Sequence, residues 1–550
     1  MNHHWLLALT LLSACAAPAA LPPPGFDGSR GERGFELIVQ VRPEQETRFI
    51  GVSQRRLGAR VIDRLTLTGK QYLLIGLDRE AVRGQPYELP LDADDRALTR
   101  AAAEDLWQHH GQMLADLELN VIAEPPAAGS SPSAVAFNDL SFGIGSGLEG
   151  WWRTETQVEA AWRYAIGTGV TVAYLDQGFV RGHPELERRL VLTGQNNQTS
   201  EYLASQPGNI ELPAGDHGTA SLLVGFAERD NHLPSVGVAP NARFMPFVAS
   251  TVWDAARALN TAAHEHPDVI GMNFAFPLYP KWQAYGEYRQ YQLLKDVFAE
   301  IAATSKVPVV VPAHNYGEPV SGGPRDWVPV AWAKEYDNVI GVGGVQVLAG
   351  NKLKAWFSGD LLTGINARGS NYGDGLIWAP ATLLDIANPS PSGLKPGSMN
   401  GTSAACPFVT AAVALLRSRV PELPAQRLRE LLLQTARPVP ADDLLQRPGA
   451  SVPMIQVEAA LIAALRSQGL DPTAYAAKAL TGRIELRPDG TREFSSGSLR
   501  LKVLPTLVSL LPGIPSAADA RPIRIEAWFG VHPLKADQLE ILHIKEDSEL

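Results

Sequence analysis

Apolar and polar positions alternate with a period of two over much of residues 59–67, and short apolar runs predict strands at 35–42 (FELIVQVR) and 71–78, with Thr68-Gly69-Lys70 joining 59–67 to 71–78 and a further strand predicted at 119–123. Between these runs the apolar spacing lengthens to that of helices near 45–57 and within 97–116. The order βαββαβ predicts two helices against one four-stranded sheet, a small α+β unit of the ferredoxin-like type over residues 35–124.

The rhythm changes after residues 125–150, a loose stretch of small residues that predicts an interdomain linker open to proteolysis. Short, nearly all-apolar strands then take turns with helices. Strands are predicted at 170–175, 242–249, 269–275, 307–311 and 339–345. Helices are predicted from about His217 to Phe226 and at 252–265, 284–304, 402–417, 424–435 and 455–467. Strands buried on both faces and separated by helices predict a doubly wound, mostly parallel α/β sheet, here over residues 151–468. Residues 469–550 turn β-rich, with a hairpin around Asp489-Gly490.

At 550 residues the chain exceeds a single core, and its 45% apolar and 19% charged content is that of a folded protein. A net charge of −10 argues against nucleic acid as a partner, because phosphate neutralisation needs clustered Lys and Arg. The two cysteines, Cys15 and Cys406, are too few for a disulfide framework. Residues 5–12 (WLLALTLL) suit the apolar part of a signal peptide and are too short to span a membrane. Leu12-Ser13-Ala14-Cys15 resembles a bacterial lipobox, which implies a lipoprotein signal at 1–15, a diacylated Cys15 and membrane anchoring through that lipid. An ordinary signal peptide is the alternative, and either exports the chain. Residues 16–34, rich in Pro, Gly and Ala, read as a flexible tether.

Open α/β sheets build their sites at the carboxyl ends of strands, and three residues of complementary chemistry are predicted there. Asp176 ends the strand VTVAYLD; His217 opens a helix in Gly-Asp-His-Gly-Thr; Ser403 opens another in Gly-Thr-Ser-Ala-Ala. A serine hydroxyl is a weak nucleophile, so it needs an imidazole to take its proton and a carboxylate to orient that imidazole. A helix N-terminus beside Ser403 suits a developing oxyanion.

The order Asp176, His217, Ser403 and the wording around each closely resemble the subtilisin-like serine peptidases, the subtilase or S8 family, across roughly residues 151–437. Gly237-Val238-Ala239-Pro240, Ser370-Asn371-Tyr372-Gly373 and Trp378-Ala379-Pro380 support the resemblance. It implies a secreted serine endopeptidase acting through an acyl-enzyme on protein or peptide substrates. It also places Asn315, in VVVPAHNYG, as the oxyanion-hole donor. No cofactor is implied as a requirement; family members often hold structural calcium, for which no compact acidic loop is found. The unit at 35–124 resembles the family's propeptide, which implies an intramolecular inhibitor, self-processing within 125–150 and release of the catalytic domain from its anchor.

Departures fall in the substrate-binding walls. Phe274, Ala275 and Phe276, followed by Pro277, stand where the family reads Met-Ser-Leu-Gly, and His314 stands where glycine precedes the oxyanion asparagine. Proline removes a backbone donor, so pairing with substrate is expected to differ. A lipid-anchored binding or scaffold protein that retains the fold without turnover is the competing reading. Cys406, one turn after Ser403, is expected to be an inert packed thiol.

Overall fold

The computed structural model describes residues 32–87, 93–123, 150–180, 182–193, 215–229, 231, 233, 235–278, 291–362, 367–382, 384–390, 393–503, 523–531 and 534–545. Cys15, the signal segment and nearly all of the 125–150 linker lie outside the described residues. No helix among the described residues is long and apolar enough to cross a membrane.

The first module is an antiparallel sheet of β1 (Glu32–Val41), β2 (Arg60–Leu67), β3 (Lys70–Gly76) and β4 (Leu114–Val121) in the order β2-β3-β1-β4. Its two longer helices are Glu46–Leu57 and Asp95–His110. The second, expected within 97–116, starts two residues earlier, at Asp95, and gives way to a short 3-10 turn at Gly111–Met113 that leads into the strand beginning at Leu114. Side chains alternate across a strand, and both faces of this sheet are used. Leu37, Val39, Leu73 and Ile75 pack in the module's own core, whereas Ile38, Leu65, Leu67, Tyr72 and Leu74 join the core of the second module. That explains why β3 reads as an unbroken apolar run.

The second module is built on β5 (Thr171–Asp176), β6 (Arg243–Val248), β7 (Val269–Met272), β9 (Val309–Pro312), β11 (Val339–Leu348), β15 (Ile377–Pro380) and β19 (Ser451–Met454). These run parallel, in the order β19-β15-β11-β9-β7-β5-β6. β12 (Lys352–Ala355) and β18 (Arg437–Pro440) join antiparallel, to β11 and to β19. Three small antiparallel pairs sit apart from this sheet. They are β8 (Phe276–Leu278) with β10 (Asp326–Val328), β13 (Phe357–Leu362) with β14 (Ala367–Gly369), and β16 (Leu384–Ser390) with β17 (Gly393–Met399). The strand predicted at 269–275 thus ends at Met272, Ala275 forms a single bridge, and a second short strand begins at Phe276. β5 lies between β6 and β7, so consecutive connections leave it in opposite directions and open a crevice at its carboxyl end.

The third module is a closed barrel of β20 (Lys478–Leu486), β21 (Arg492–Ser496), β22 (Leu499–Val503), β23 (Ile523–Phe529) and β24 (Gln538–Lys545), in the order β20-β21-β22-β24-β23. Closure removes the open edges that a five-stranded sheet would expose. Phe494, Ile525 and Leu539 fill its interior. It docks on the second module through Trp528, whose Nε1 donates to the Arg163 carbonyl at 2.8 Å, and through the buried Glu540, which accepts from Thr168 and Asn241.

The first module meets the second at two helix N-termini. Helix Gln292–Ala303 follows Tyr291, which provides no side-chain cap, and the Glu118 carboxylate instead accepts from the N–H groups of Gln292 and Leu293, each at 3.1 Å. Asn120 Oδ1 accepts from Trp253 N at 3.2 Å at the start of helix Val252–His264. The last described residues of the module then run antiparallel to the Ser250-Thr251 segment, with Ile122 bridging Thr251 and Ala123 N donating to Ser250 O at 2.8 Å.

Candidate active site

β5 delivers Asp176 to the crevice, fully buried at the end of the strand. The next secondary-structure element to reach this crevice, helix Gly215–Phe226, brings His217 over it. Gly218 makes that approach possible, because a Cβ there would meet the Gly178 carbonyl oxygen at 2.1 Å. Gly401, with φ of 88°, turns the chain into helix Thr402–Arg417, so that Ser403 lies in its first turn.

These three residues form one hydrogen-bonded chain. His217 Nδ1 lies 2.7 Å from Asp176 Oδ1 and His217 Nε2 lies 2.9 Å from Ser403 Oγ. Gln177 N also donates to Asp176 Oδ1 at 2.7 Å. The other carboxylate oxygen lies 3.0 Å from Ser221 Oγ, which is also 2.8 Å from the His217 carbonyl oxygen, so its single proton serves one of them at a time. Asn273 Nδ2 donates to Ser221 Oγ at 2.8 Å and to the Ser403 carbonyl at 2.9 Å, linking the end of β7 to the serine helix. Such a chain can hold one imidazole tautomer, with Nε2 facing the hydroxyl whose proton it can take.

Asn315 sits beyond the end of β9. Its Oδ1 accepts from Thr402 N at 3.0 Å and Thr402 Oγ1 at 2.8 Å, while its buried Nδ2 has no partner among the described residues. A buried amide donor held by its own oxygen and left unused is costly unless a ligand oxygen takes it. The loop is pinned from behind by Asn371, whose Oδ1 accepts from Tyr316 N at 2.9 Å and Glu318 N at 3.2 Å. Asn371 N donates to the His314 carbonyl at 2.8 Å. The Ser-Asn-Tyr-Gly segment noted in the sequence therefore shapes the loop that carries Asn315.

Phe274, Ala275 and Phe276 are all fully buried, the two phenylalanine rings meeting edge to face at 5.9 Å. His314 is 3% exposed with φ of 78°, and its Nδ1 accepts from Asn315 N at 3.0 Å. Cys406 Sγ points away from the crevice toward the carbonyls of Met272 and Val310, and burial pushes its thiol well above its usual range, with Asp176 adding to the shift. Among the described residues no group of three or more His, Cys, Asp or Glu side chains is placed to hold a metal.

Ser221, Asn273, Thr402 and Asn371 were not singled out individually by the sequence reading. Ser221 was open to discovery, since it lies one helical turn after His217 and must share its face. The others act through contacts between distant segments.

Comparison with known proteins shows what the chain is similar to. A calcium-dependent protease of Nostoc sp. strain PCC 7120 is 31% identical over 128 residues, 23% of this chain and 18% of that protein. Subtilisin DY of Bacillus licheniformis is 28% identical over 277 residues, 49% of this chain and 84% of its own length. The crystal structure of fervidolysin from Fervidobacterium pennivorans, a keratinolytic enzyme related to subtilisin, superposes with a TM-score of 0.54 at 18% identity, covering 87% of this chain and 68% of that one. That likeness shows the fold. The subtilase family matches residues 167–458, more than half of the chain and a span that contains Asp176, His217, Asn315 and Ser403, and the protein belongs to that family.

Proposed function

We propose that the protein is an exported serine endopeptidase that processes itself. The observation that carries this reading is the chain Asp176–His217–Ser403 lying beside an amide donor, Asn315 Nδ2, that nothing among the described residues uses. In this reading His217 takes the Ser403 proton as Oγ attacks a substrate carbonyl. Asn315 Nδ2 and the Ser403 backbone N–H stabilise the oxyanion, Asp176 stabilises the imidazolium, and water releases the acyl group.

Residues 35–124 act as the inhibitory propeptide. Support comes from the path of the module's end: Gln177 Nε2 donates to the Ala123 carbonyl at 3.1 Å, one residue after Asp176. A chain continuing from Ala123 therefore starts at the mouth of the site. With a lipid on Cys15, cleavage within 125–150 separates the catalytic domain from its anchor. Detergent phase partitioning then finds that domain in the aqueous phase for wild type and with the membrane phase for Ser403→Ala.

The central test is labelling of the purified, signal-free protein with a fluorophosphonate, beside Ser403→Ala, read on a denaturing gel. Ser403-dependent label on a shortened chain is the expected result. No label, even after limited proteolysis to strip the first module, would turn the reading to a scaffold on a subtilase fold.

A further inference from the structure

We propose that Trp327 sets the specificity of this site, filling the space beside the scissile bond so that substrates with glycine, alanine or serine on its acyl side are cleaved and those with large side chains are not. The proposal rests on the reading of Ser403 as nucleophile and goes beyond it by naming the substrate class.

A carbonyl attacked by Ser403 Oγ and polarised by Asn315 Nδ2 bears its side chain only two bonds away. That side chain must lie against the two segments that leave β7 and β9 at this edge of the sheet. The strands are neighbours, with Ile270 beside Val309. The β7 segment is tied to the nucleophile by Asn273 and runs through Phe274 and Ala275 into β8. The β9 segment is His314-Asn315-Tyr316.

Trp327 bridges both. It stands opposite Pro277 in the β8–β10 ladder, and its ring lies 4.1 Å from that of His314 at an angle of 21°. Tyr316 stacks on both rings, at 5.2 Å from His314 and 5.0 Å from Trp327. The indole is fully buried and is clamped at its polar edge, its Nε1 donating to Glu318 Oε1 at 2.6 Å. The same oxygen accepts from Arg325 Nε at 2.8 Å, while the guanidinium covers Tyr316 at 4.8 Å and Trp327 at 5.1 Å. Swinging the indole aside means breaking a charge-assisted hydrogen bond and its contacts with two stacked rings and a guanidinium. His314 holds its place in this stack in a left-handed conformation that favours glycine. A hydrogen or methyl group on the substrate leaves the stack intact, and a phenyl or isobutyl group does not.

The test is a series of tetrapeptide coumarin amides differing only in Ala, Leu or Phe next to the amide, with the full chain counted by fluorophosphonate titration. The expected preference for Ala over Phe in kcat/KM is about 100-fold, and Trp327→Gly should raise turnover of the Phe substrate at least about 10-fold. His314→Gly relieves the backbone and removes one stacked face, so it should shift the Phe-to-Ala ratio the same way by less; it serves where Trp327→Gly does not fold. Wild-type preference for Phe or Leu, or an unchanged ratio in the folded variants, overturns the assignment while Ser403-dependent labelling leaves the peptidase reading standing. Absence of both labelling and turnover overturns that reading, and this proposal with it.

Discussion

Asn315 and Thr402 are joined twice: Asn315 Oδ1 accepts from the backbone N–H and from the hydroxyl of Thr402, at 3.0 and 2.8 Å. The amide is thereby oriented with its oxygen toward the serine helix and its nitrogen toward the crevice, before any substrate binds. This preorganisation leads to the first prediction. Asn315→Ala should lower kcat about 100- to 1000-fold with little change in KM, the size known for subtilisin's own oxyanion asparagine. Thr402→Val should cost less, since the backbone donor remains, and Thr402→Ser should restore the loss. Steady-state kinetics on one peptide substrate checks all three.

The Asp176 carboxylate has one oxygen on His217 and one on Ser221, and is fully buried. Asp176→Asn should lower kcat by about 10,000-fold while leaving the fold in place, because the imidazole is then held in the wrong tautomer. Ser221→Ala should fall by about 10-fold or less, since Gln177 N still holds the carboxylate. Circular dichroism beside the kinetics separates lost chemistry from lost structure.

Glu118 is the cap that helix Gln292–Ala303 lacks in its own sequence. Glu118→Ala leaves two backbone N–H groups at that buried junction unmet, and docking of the first module should weaken by about 2 kcal/mol. Glu118→Gln, whose amide oxygen can still accept, should lose less. Hydrogen exchange at Gln292 and Leu293 in the Ser403→Ala background reports this directly: faster exchange is expected in the alanine variant, and unchanged protection would contradict it.

Glu540 joins the barrel to the second module. Burial pushes its carboxyl up to about 7, with Arg419 and the Asn241 hydrogen bond opposing the shift. A raised value means that the folded state holds this proton more tightly than the unfolded one. The stabilisation is therefore complete below the ordinary value of 4.5 and is lost as pH rises through about 7, by up to roughly 3 kcal/mol. Glu540→Gln removes this titration, so its midpoint of thermal unfolding should vary less than that of wild type between pH 5 and 8, an interval about as wide as the cited shift. Equal slopes for the two proteins would exclude Glu540 as the group responsible.

Much of this molecule was legible in the order of its residues. Asp176 ends an apolar strand, His217 and Ser403 open helices behind glycines, and local periodicity is enough to place all three at one edge of a parallel sheet. Boundaries were less legible: the helix expected within 97–116 runs from Asp95 to His110, with Gly111 to mark the turn. The strand expected through Ala275 stops at Met272; Asn273 N still donates to the Leu175 carbonyl of β5 at 3.0 Å, while its side chain reaches Ser221 and the Ser403 carbonyl.

By itself the sequence determined which elements form, in which order, and which residue types meet at the crevice, because helix and strand periods, glycine turns and apolar runs are local properties of the chain. Only the tertiary structure decided what surrounds them. Glu118 caps a helix 174 residues away, and Trp327 stacks on His314 across a loop. Glu540 is buried against a module whose residue Thr168 lies 372 positions earlier. Such contacts depend on which faces pack together, and that choice is made by burial summed over whole layers, which no short stretch of sequence carries.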